Sequence, residues 1–237
     1  MTAPSLQVHP TPAEVAAHGA MLLATWLRES VERHGDAMLA VSGGRSPWAM
    51  FELLVGDTTV PWSHVHLLQV DERVVPDGYP DRNWTHIAER FVDSGVIAAD
   101  HAHPMPVTAD DLHAATAEYS ALISALCPEG AIDALHLGLG DDGHTASLVP
   151  RDGVCDVLDR DVALTCEPYN GTMRMTLTRP CLDRAVHGFF QVCGEGKRTA
   201  VEQLLAGDTS IPASLLAGDR LLVLADAAAA PQRPAST

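Results

Sequence analysis

The chain has 237 residues, of which 46% are hydrophobic and 19% charged, and its mean hydropathy of +0.05 is typical of a globular protein. Its 15 basic and 31 acidic residues give a formal net charge of −16. This charge argues against nucleic acid or an anionic membrane as the main partner, because both require a basic surface. Five cysteines without a CxxC pair indicate neither a disulfide framework nor a zinc ribbon. With no secretory leader and no long apolar stretch, we expect a cytoplasmic protein.

Strand-like and helical patterns alternate along the chain, which is typical of βαβ units around a mostly parallel sheet. The first half predicts a helix over 12–34, a strand over 37–41, a helix from about residue 47, a strand over 65–70 and a helix over 109–126. The second half predicts strands over 134–139, 162–166, 187–193 and 221–225, with a helix over 195–206. We therefore expect one α/β domain over residues 1–225 and a flexible, Ala/Pro-rich tail over 226–237.

Glycine-rich or charged segments follow three of the predicted strands. They are SGGRS at 42–46, DER at 71–73 and GLGDDGH at 138–144. In open α/β sheets, ligands bind outside the carboxyl ends of the strands. We therefore expect the three segments to converge at one edge of the sheet.

The first segment has the features of an anion-binding loop. Gly43 and Gly44 let backbone N–H groups approach an anion closely, and the helix that follows adds a favourable potential at its N-terminus. A phosphate group is the expected ligand, although no Gly-Lys-Ser/Thr follows as in a Walker loop. The alternative is a tight strand-to-helix turn that binds nothing.

The third segment carries a candidate general base. His144 follows a predicted buried strand, and histidine is the residue type best suited to proton transfer near neutral pH. Asp142 could orient it or position a water molecule. A metal site that includes Asp141 or Asp142 and a purely structural turn are the alternatives, but no HExxH motif or second nearby histidine supports a metal.

Other polar residues give weaker signals. Lys197 is the only lysine among the 15 basic residues, so it is either a surface residue or a group whose role arginine would fill poorly. The pairs His64/His66 and His101/His103 could chelate a metal from one face of a strand, but structural roles at or near the surface are favoured.

Five motifs occur in a fixed order: SGGRSP, DERVVP with Asn83 ten residues after Arg73, GLGDDGHTASLVP, RMTLT at 174–178 and GEGKRTAV at 194–201. Together they resemble the 6-phosphogluconolactonases of the glucosamine-6-phosphate isomerase/6-phosphogluconolactonase family, over about residues 12–225. The resemblance implies a Rossmann-like three-layer α/β/α sandwich with a mostly parallel sheet. It also implies hydrolysis of 6-phospho-D-glucono-1,5-lactone, the second step of the pentose phosphate pathway, with no cofactor and no metal. The expected partner is this small-molecule lactone, and the expected assembly is a monomer or weak homodimer.

The resemblance also assigns roles to individual residues. His144 is expected to be the general base and Asp142 its neighbouring carboxylate. The expected substrate- and phosphate-binding residues are Gly43, Gly44, Ser46, Asp71, Arg73, Asn83, Arg174 and Lys197. Arg45, Arg82 and Val149 depart from the residues common in the family, which leaves the contribution of Arg45 and Arg82 to phosphate binding open.

Two other functions fit the residues less well. In the related amino-sugar phosphate deaminases, the histidine loop reads DGHxAFNEP and supplies a glutamate for proton transfer, whereas this chain has Val149 there. Arg73 also stands where those enzymes usually have tyrosine. A sugar-phosphate sensor of a transcription regulator would need a DNA-binding module, for which there is no room before residue 37, and the −16 charge disfavours DNA.

Overall fold

The computed structural model describes residues 3–44, 46–127 and 130–232. It contains ten strands: β1 (Ser5–His9), β2 (Ala37–Val41), β3 (Val65–Gln69), β4 (Asp71–Arg73), β5 (Ala102–His103), β6 (Ala134–Gly138), β7 (Val162–Leu164), β8 (Arg174–Leu177), β9 (His187–Val192) and β10 (Leu221–Asp226). Its α-helices are α1 (Pro12–His34), α2 (Trp48–Val55), α3 (Asn83–Phe91), α4 (Leu112–Leu126), α5 (Arg179–Asp183) and α6 (Arg198–Ala206). No helix in these ranges combines the length and apolarity needed to cross a membrane.

Seven strands form one parallel sheet in the order β1-β10-β9-β6-β2-β3-β5. All five residues of β2, an interior strand of this sheet, are buried, because both faces of the sheet are covered. Leu39 and Val41 pack on one side with residues of α1 and α2, whereas Met38 and Ala40 pack on the other with residues of α4 and α6. The three-layer α/β/α sandwich and its parallel sheet are therefore confirmed.

A second, antiparallel sheet has the order β4-β8-β7. A single residue separates the end of β3 from the start of β4. Strand β4 pairs with β8, which lies about a hundred positions further along the chain. In this pairing Arg73 lies directly opposite Arg174, and Asp71 lies opposite Thr176. The small sheet thus brings the DER and RMTLT motifs together beside the carboxyl end of β3.

The predicted elements agree with the structure where the signals are local. Helix α1 begins and ends as predicted, because the Thr11 hydroxyl accepts a hydrogen bond from Glu14 N (3.3 Å) and Gly35 ends the helix at φ 98°. The strand predicted over 162–166 is shorter than expected, and β1, β5, α3 and α5 were not predicted at all. Strands β4 and β8 correspond to the DER and RMTLT motifs, and neither was predicted to be a strand.

The tail predicted to be flexible over 226–237 starts within the folded part of the chain. Asp226 is the last residue of β10, and Ala229 is fully buried. The Arg198 guanidinium donates to the carbonyls of Ala228 (2.8 Å) and Ala230 (3.2 Å), which fixes this turn on the domain. Residues 233–237 of the predicted tail lie outside the described ranges.

Candidate active site

A cleft lies at the carboxyl ends of the parallel strands, and the three segments singled out in the sequence meet there. Its lining residues are Ser42, Gly43, Gly44, Asp71, Arg73, Asn83, Gly138, Leu139, Gly140, His144, Ala146, Arg174 and Lys197. Eight of the ten predicted site residues are in this set. Asp142 contacts His144 from beside the cleft, as described below. The expected convergence of the three strand ends is thus observed.

Ser46 is the predicted site residue that the structure does not bring to the cleft. Ser46 is exposed, and its backbone carbonyl accepts a hydrogen bond from the Gln191 side chain (3.3 Å). Arg82 is directed elsewhere too, because its guanidinium forms ion pairs with Glu72 and Asp77. Arg45 lies outside the described residues.

His144 and Asp142 form a hydrogen-bonded pair. His144 Nδ1 lies 2.6 Å from Asp142 Oδ1, which also accepts the backbone N–H of His144 (3.2 Å). An ionised carboxylate only accepts hydrogen bonds, so Nδ1 carries the ring proton and Nε2 can accept one. Partial burial raises the pKa of Asp142, but its hydrogen bonds and the charge of His144 outweigh that effect and hold the pKa below its ordinary value.

The loop that carries this pair is closed by its own hydrogen bonds. Gly140 N donates to the carbonyl of His144 (2.8 Å), and Gly143 N donates to the carbonyl of Gly140 (3.0 Å). The Thr145 hydroxyl then donates to the carbonyl of Gly138 at the end of β6 (2.9 Å). The buried parallel strand therefore positions the imidazole through a short, internally bonded loop.

Three cationic side chains, Arg73, Arg174 and Lys197, line the cleft, although the whole chain is strongly acidic. Burial lowers the pKa of Arg174, which lies 4.0 Å from the Asp71 carboxylate and opposite Arg73. Lys197 ends a single 3-10 turn before α6, and its Nζ contacts the exposed carboxylate of Asp141 at 2.5 Å. The cleft therefore offers several donors to an anionic ligand.

Asp71 and Asn83 are held from beneath by buried hydrogen bonds. The Ser147 hydroxyl donates to Asp71 Oδ2 (2.6 Å), and the Asn83 side chain donates from Nδ2 to the backbone carbonyl of Asp71 (3.0 Å). A β-carbon on Gly43 would lie 2.2 Å from Asn83 Oδ1, so the SGGRS loop packs directly on this amide. The first and second motifs are thereby joined.

Glu72 is a structural residue of the site that the sequence analysis did not single out. Its fully buried carboxylate accepts from the backbone N–H groups of Arg73 (2.7 Å), Asn83 (2.8 Å) and Trp84 (2.7 Å), and from the Gln69 side chain (2.8 Å). Burial raises the pKa of Glu72, and these donors oppose the shift. Glu72 therefore caps the N-terminus of α3. The signal in the sequence that could have identified this residue was its position within the DER motif.

Tyr169 is the second residue that was missed. Its hydroxyl donates to Asp142 Oδ2 (2.9 Å) and lies 3.2 Å from His144 Nδ1. The available signal was the Asn170-Gly171 dipeptide just before the RMTLT motif, because Asn-Gly is typical of a tight hairpin turn.

Three of the four histidines in the sequence pairs meet outside the cleft, whereas His64 lies 3.3 Å from the Asp36 carboxylate. His66 stacks on His101 with ring centroids 4.1 Å apart, and its Nδ1 lies 3.0 Å from His103 Nε2. Burial, followed by the charges of His66 and His101, lowers the pKa of His103 to about 4. Within the described ranges, no group of three or more His, Cys, Asp or Glu side chains has an arrangement that could hold a metal ion.

Comparisons with known proteins give a consistent result. The family model described as glucosamine-6-phosphate isomerases/6-phosphogluconolactonase matches residues 10–224. A 6-phosphogluconolactonase of Nostoc sp. is 30% identical over 234 residues, covering 95% of this chain and 96% of its own. One from Streptomyces coelicolor is 32% identical over 250 aligned positions, covering 98% and 96%.

Solved structures share the fold at lower identity. The crystal structure of a 6-phosphogluconolactonase from Thermotoga maritima has a TM-score of 0.83 at 23% identity and covers 94% of this chain and 99% of its own. A monomeric glucosamine-6-phosphate deaminase has a TM-score of 0.82 at 19% identity, covering 95% and 98%. The fold alone therefore does not distinguish the lactonases from the deaminases.

Proposed function

Since this chain belongs to the glucosamine-6-phosphate isomerase/6-phosphogluconolactonase family, we propose that it hydrolyses 6-phospho-D-glucono-1,5-lactone to 6-phospho-D-gluconate. The observation that carries the proposal is one cleft that combines a His144–Asp142 pair with three cationic side chains. A lactone needs a base to activate water, and its phosphate needs cationic donors. The reaction is the second step of the pentose phosphate pathway.

In the proposed mechanism, His144 acts twice on the same substrate. Neutral Nε2 takes a proton from a water molecule as the water oxygen attacks C1, which forms a tetrahedral oxyanion. The imidazolium then gives that proton to the ring oxygen as the C1–O bond breaks, so that a hydroxyl group and a carboxylic acid result. Asp142 holds the ring with its proton on Nδ1 and stabilises the transient imidazolium. No covalent bond between enzyme and substrate is required.

The cationic side chains have a separate role. We assign Lys197, with the N–H groups of the Gly43-Gly44 loop, to the substrate phosphate, and Arg73 and Arg174 to the remaining oxygen atoms of the substrate. Donors already in place stabilise an oxyanion more effectively than water, because they need not reorganise during the reaction. Asp71, 4.0 Å from Arg174, and Asn83, which packs against Gly43, help to position these donors.

Deamination is the second candidate within the same fold. Val149 occupies the position of the glutamate that the deaminase loop supplies, and it is buried with 4% of its surface exposed. A valine side chain cannot transfer a proton, so this position favours lactone hydrolysis.

A coupled assay on freshly generated lactone tests the proposal, with the uncatalysed opening subtracted. We expect His144→Gln to lower kcat by about 10²–10⁴-fold with little change in KM, because general base catalysis contributes that range. Unphosphorylated gluconolactone should be a far poorer substrate, and a chelator should leave the rate unchanged.

If folded His144→Gln keeps the wild-type kcat, the histidine is structural and the mechanism is wrong. Equal kcat/KM for the two lactones would contradict the phosphate site.

A further inference from the structure

The segment between β7 and β8 presents Tyr169 on a tight hairpin. Tyr169 and Thr172 pair through both backbone hydrogen bonds, Tyr169 N to Thr172 O (2.9 Å) and Thr172 N to Tyr169 O (3.4 Å). The two residues between them, Asn170 and Gly171, both have positive φ, at 51° and 84°. This is the geometry of a type I′ turn, for which Asn-Gly is strongly preferred. The turn therefore fixes the backbone from which the Tyr169 side chain projects.

From this hairpin Tyr169 contacts both chemical parts of the cleft. Its ring meets the His144 imidazole edge to face, with centroids 5.2 Å apart and planes at 62°. The Arg174 guanidinium carbon lies 5.5 Å from the ring centroid, and Arg174 Nη2 donates to the Tyr169 carbonyl (3.3 Å). The hydroxyl contacts with Asp142 and His144 described above complete the set.

The hydroxyl has one suitable acceptor. Because Nδ1 of His144 already carries a proton, the Tyr169 O–H donates to Asp142 Oδ2 rather than to the ring. Burial and the Asp142 carboxylate raise the pKa of Tyr169 to about 12, so the phenol remains a donor throughout the neutral range. Each oxygen of Asp142 then has its own side-chain donor, His144 on Oδ1 and Tyr169 on Oδ2. Two such bonds fix the plane of the carboxylate.

We propose that Tyr169 is a positioning residue for the base, which fixes Asp142 and through it the orientation of the His144 ring. The inference rests on the proposed function of His144, since a positioning residue has an effect on rate only if the positioned group reacts. Tyr169 acts on the reacting atoms only through Asp142 and His144. It is therefore not itself a catalytic residue. Its backbone contact and ring face toward Arg174 do not depend on the hydroxyl.

Tyr169→Phe separates these roles, because it removes only the hydroxyl. We expect kcat to fall about tenfold, as for the loss of one hydrogen bond to a charged group, and KM to change less than about twofold. Without the Tyr169 donor, the Asp142 carboxylate becomes a stronger acceptor for the imidazolium, so the acid limb of the kcat profile should move to higher pH. The other ionisable groups that line the cleft, Asp71, Arg73, Arg174 and Lys197, are unchanged in this variant.

The matched control is Tyr79→Phe, which removes the hydroxyl of an exposed tyrosine outside the cleft and should leave kcat, KM and the acid limb unchanged. A second variant, Gly171→Val, keeps the Tyr169 hydroxyl but disfavours the positive φ of the turn, and should also lower kcat. In an Asp142→Ala background, Tyr169→Phe should have almost no further effect on kcat, because the acceptor of the Tyr169 hydroxyl is already absent.

The outcomes distinguish this inference from the proposed function. If Tyr169→Phe and Gly171→Val keep the wild-type kcat and acid limb while His144→Gln is impaired, the base is correct and the positioning role is wrong. If Tyr169→Phe raises KM alone, or its effect adds fully to that of Asp142→Ala, the residue acts on binding or independently of Asp142, and the inference is overturned. If His144→Gln is fully active, the proposed function itself fails.

Discussion

Gly140 lies directly against the imidazole of His144. A β-carbon added to Gly140 would be 2.0 Å from His144 Nδ1 and 2.6 Å from Asp142 Oδ1, whereas real β-carbons essentially never approach other atoms within 3.0 Å. Gly140 N also donates to the carbonyl of His144, so the backbone cannot move away without opening the loop. The absence of a side chain at residue 140 is therefore a condition for the His144–Asp142 pair.

Gly140→Ala is expected to displace the His144–Asp142 pair. We expect kcat to fall toward that of His144→Gln, by about 10²-fold or more, because the added methyl group occupies the space of the ring. Steady-state kinetics and a thermal melt would measure the effect. Gly56→Ala is the matched control, since its β-carbon would meet nothing closer than 3.4 Å and it lies at the end of α2. A Gly140→Ala enzyme with wild-type kcat would mean that the ring has another catalytically competent position.

Lys197→Ala should mainly weaken substrate binding. A hydrogen bond to a charged group contributes about 1.5–3 kcal/mol, so KM should rise on the order of 10- to 100-fold. Lys197→Arg should restore binding only in part, because a planar guanidinium and a compact ammonium present their donors differently. The slow reaction of unphosphorylated gluconolactone serves as the internal control and should not respond to either change. Unchanged KM and kcat in Lys197→Ala would show that the phosphate is bound elsewhere.

Asp141 is expected to compete with the substrate for Lys197. Its carboxylate contacts the ammonium at 2.5 Å and is largely exposed, so a phosphate group must share or replace this contact. Asp141→Asn should therefore lower KM about two- to fivefold, as expected for an exposed ion pair of below about 1 kcal/mol. Asp110→Asn, at an exposed site outside the cleft, controls for the change in net charge. The effect should disappear in a Lys197→Ala background, and a raised KM would instead mean that Asp141 holds Lys197 in its binding position.

The histidine cluster should make the fold sensitive to acid. The pKa of His103 is about 4 in the folded protein against an ordinary 6.5, so below about pH 6.5 the unfolded chain binds a proton that the folded chain does not. The free energy of unfolding therefore falls as the pH drops from 6.5 toward 4, by less than ~1.4 kcal/mol per pH unit because His103 is half-buried. His103→Phe keeps a ring next to His66 and should flatten this dependence in urea titrations at several pH values. His113→Phe, at an exposed position, should not, and equal slopes in all three proteins would contradict the prediction.

Elements with local signals could be predicted from the sequence, whereas those that depend on distant partners could not. Helix α1 has its own cap and terminal glycine, and β2 is a short apolar run. Helix α3 has no capping side chain of its own, because its cap is Glu72, eleven residues before Asn83. Its start therefore has no local signal.

The same reason separates the predicted site residues from those that were missed. His144, Asp142 and the glycine loops stand out within short motifs. Tyr169 is 27 residues from Asp142 in the sequence, and the connection between β7 and β8 brings its hydroxyl to the carboxylate. Ser46 belongs to a recognised motif, but it is exposed outside the cleft, and its backbone carbonyl accepts from the Gln191 side chain.

Arg73 and Arg174 lie directly opposite each other across the β4–β8 pair, and the Asp71 carboxylate, 4.0 Å from Arg174, partly offsets their like charges. Like charges in facing positions destabilise a sheet, and burial lowers the pKa of Arg174 before any ligand arrives. An anion bound between the two guanidinium groups, as proposed for the substrate, would reduce this repulsion. We therefore expect replacement of either arginine by a neutral residue to stabilise the empty protein and at the same time to weaken its binding of an anion.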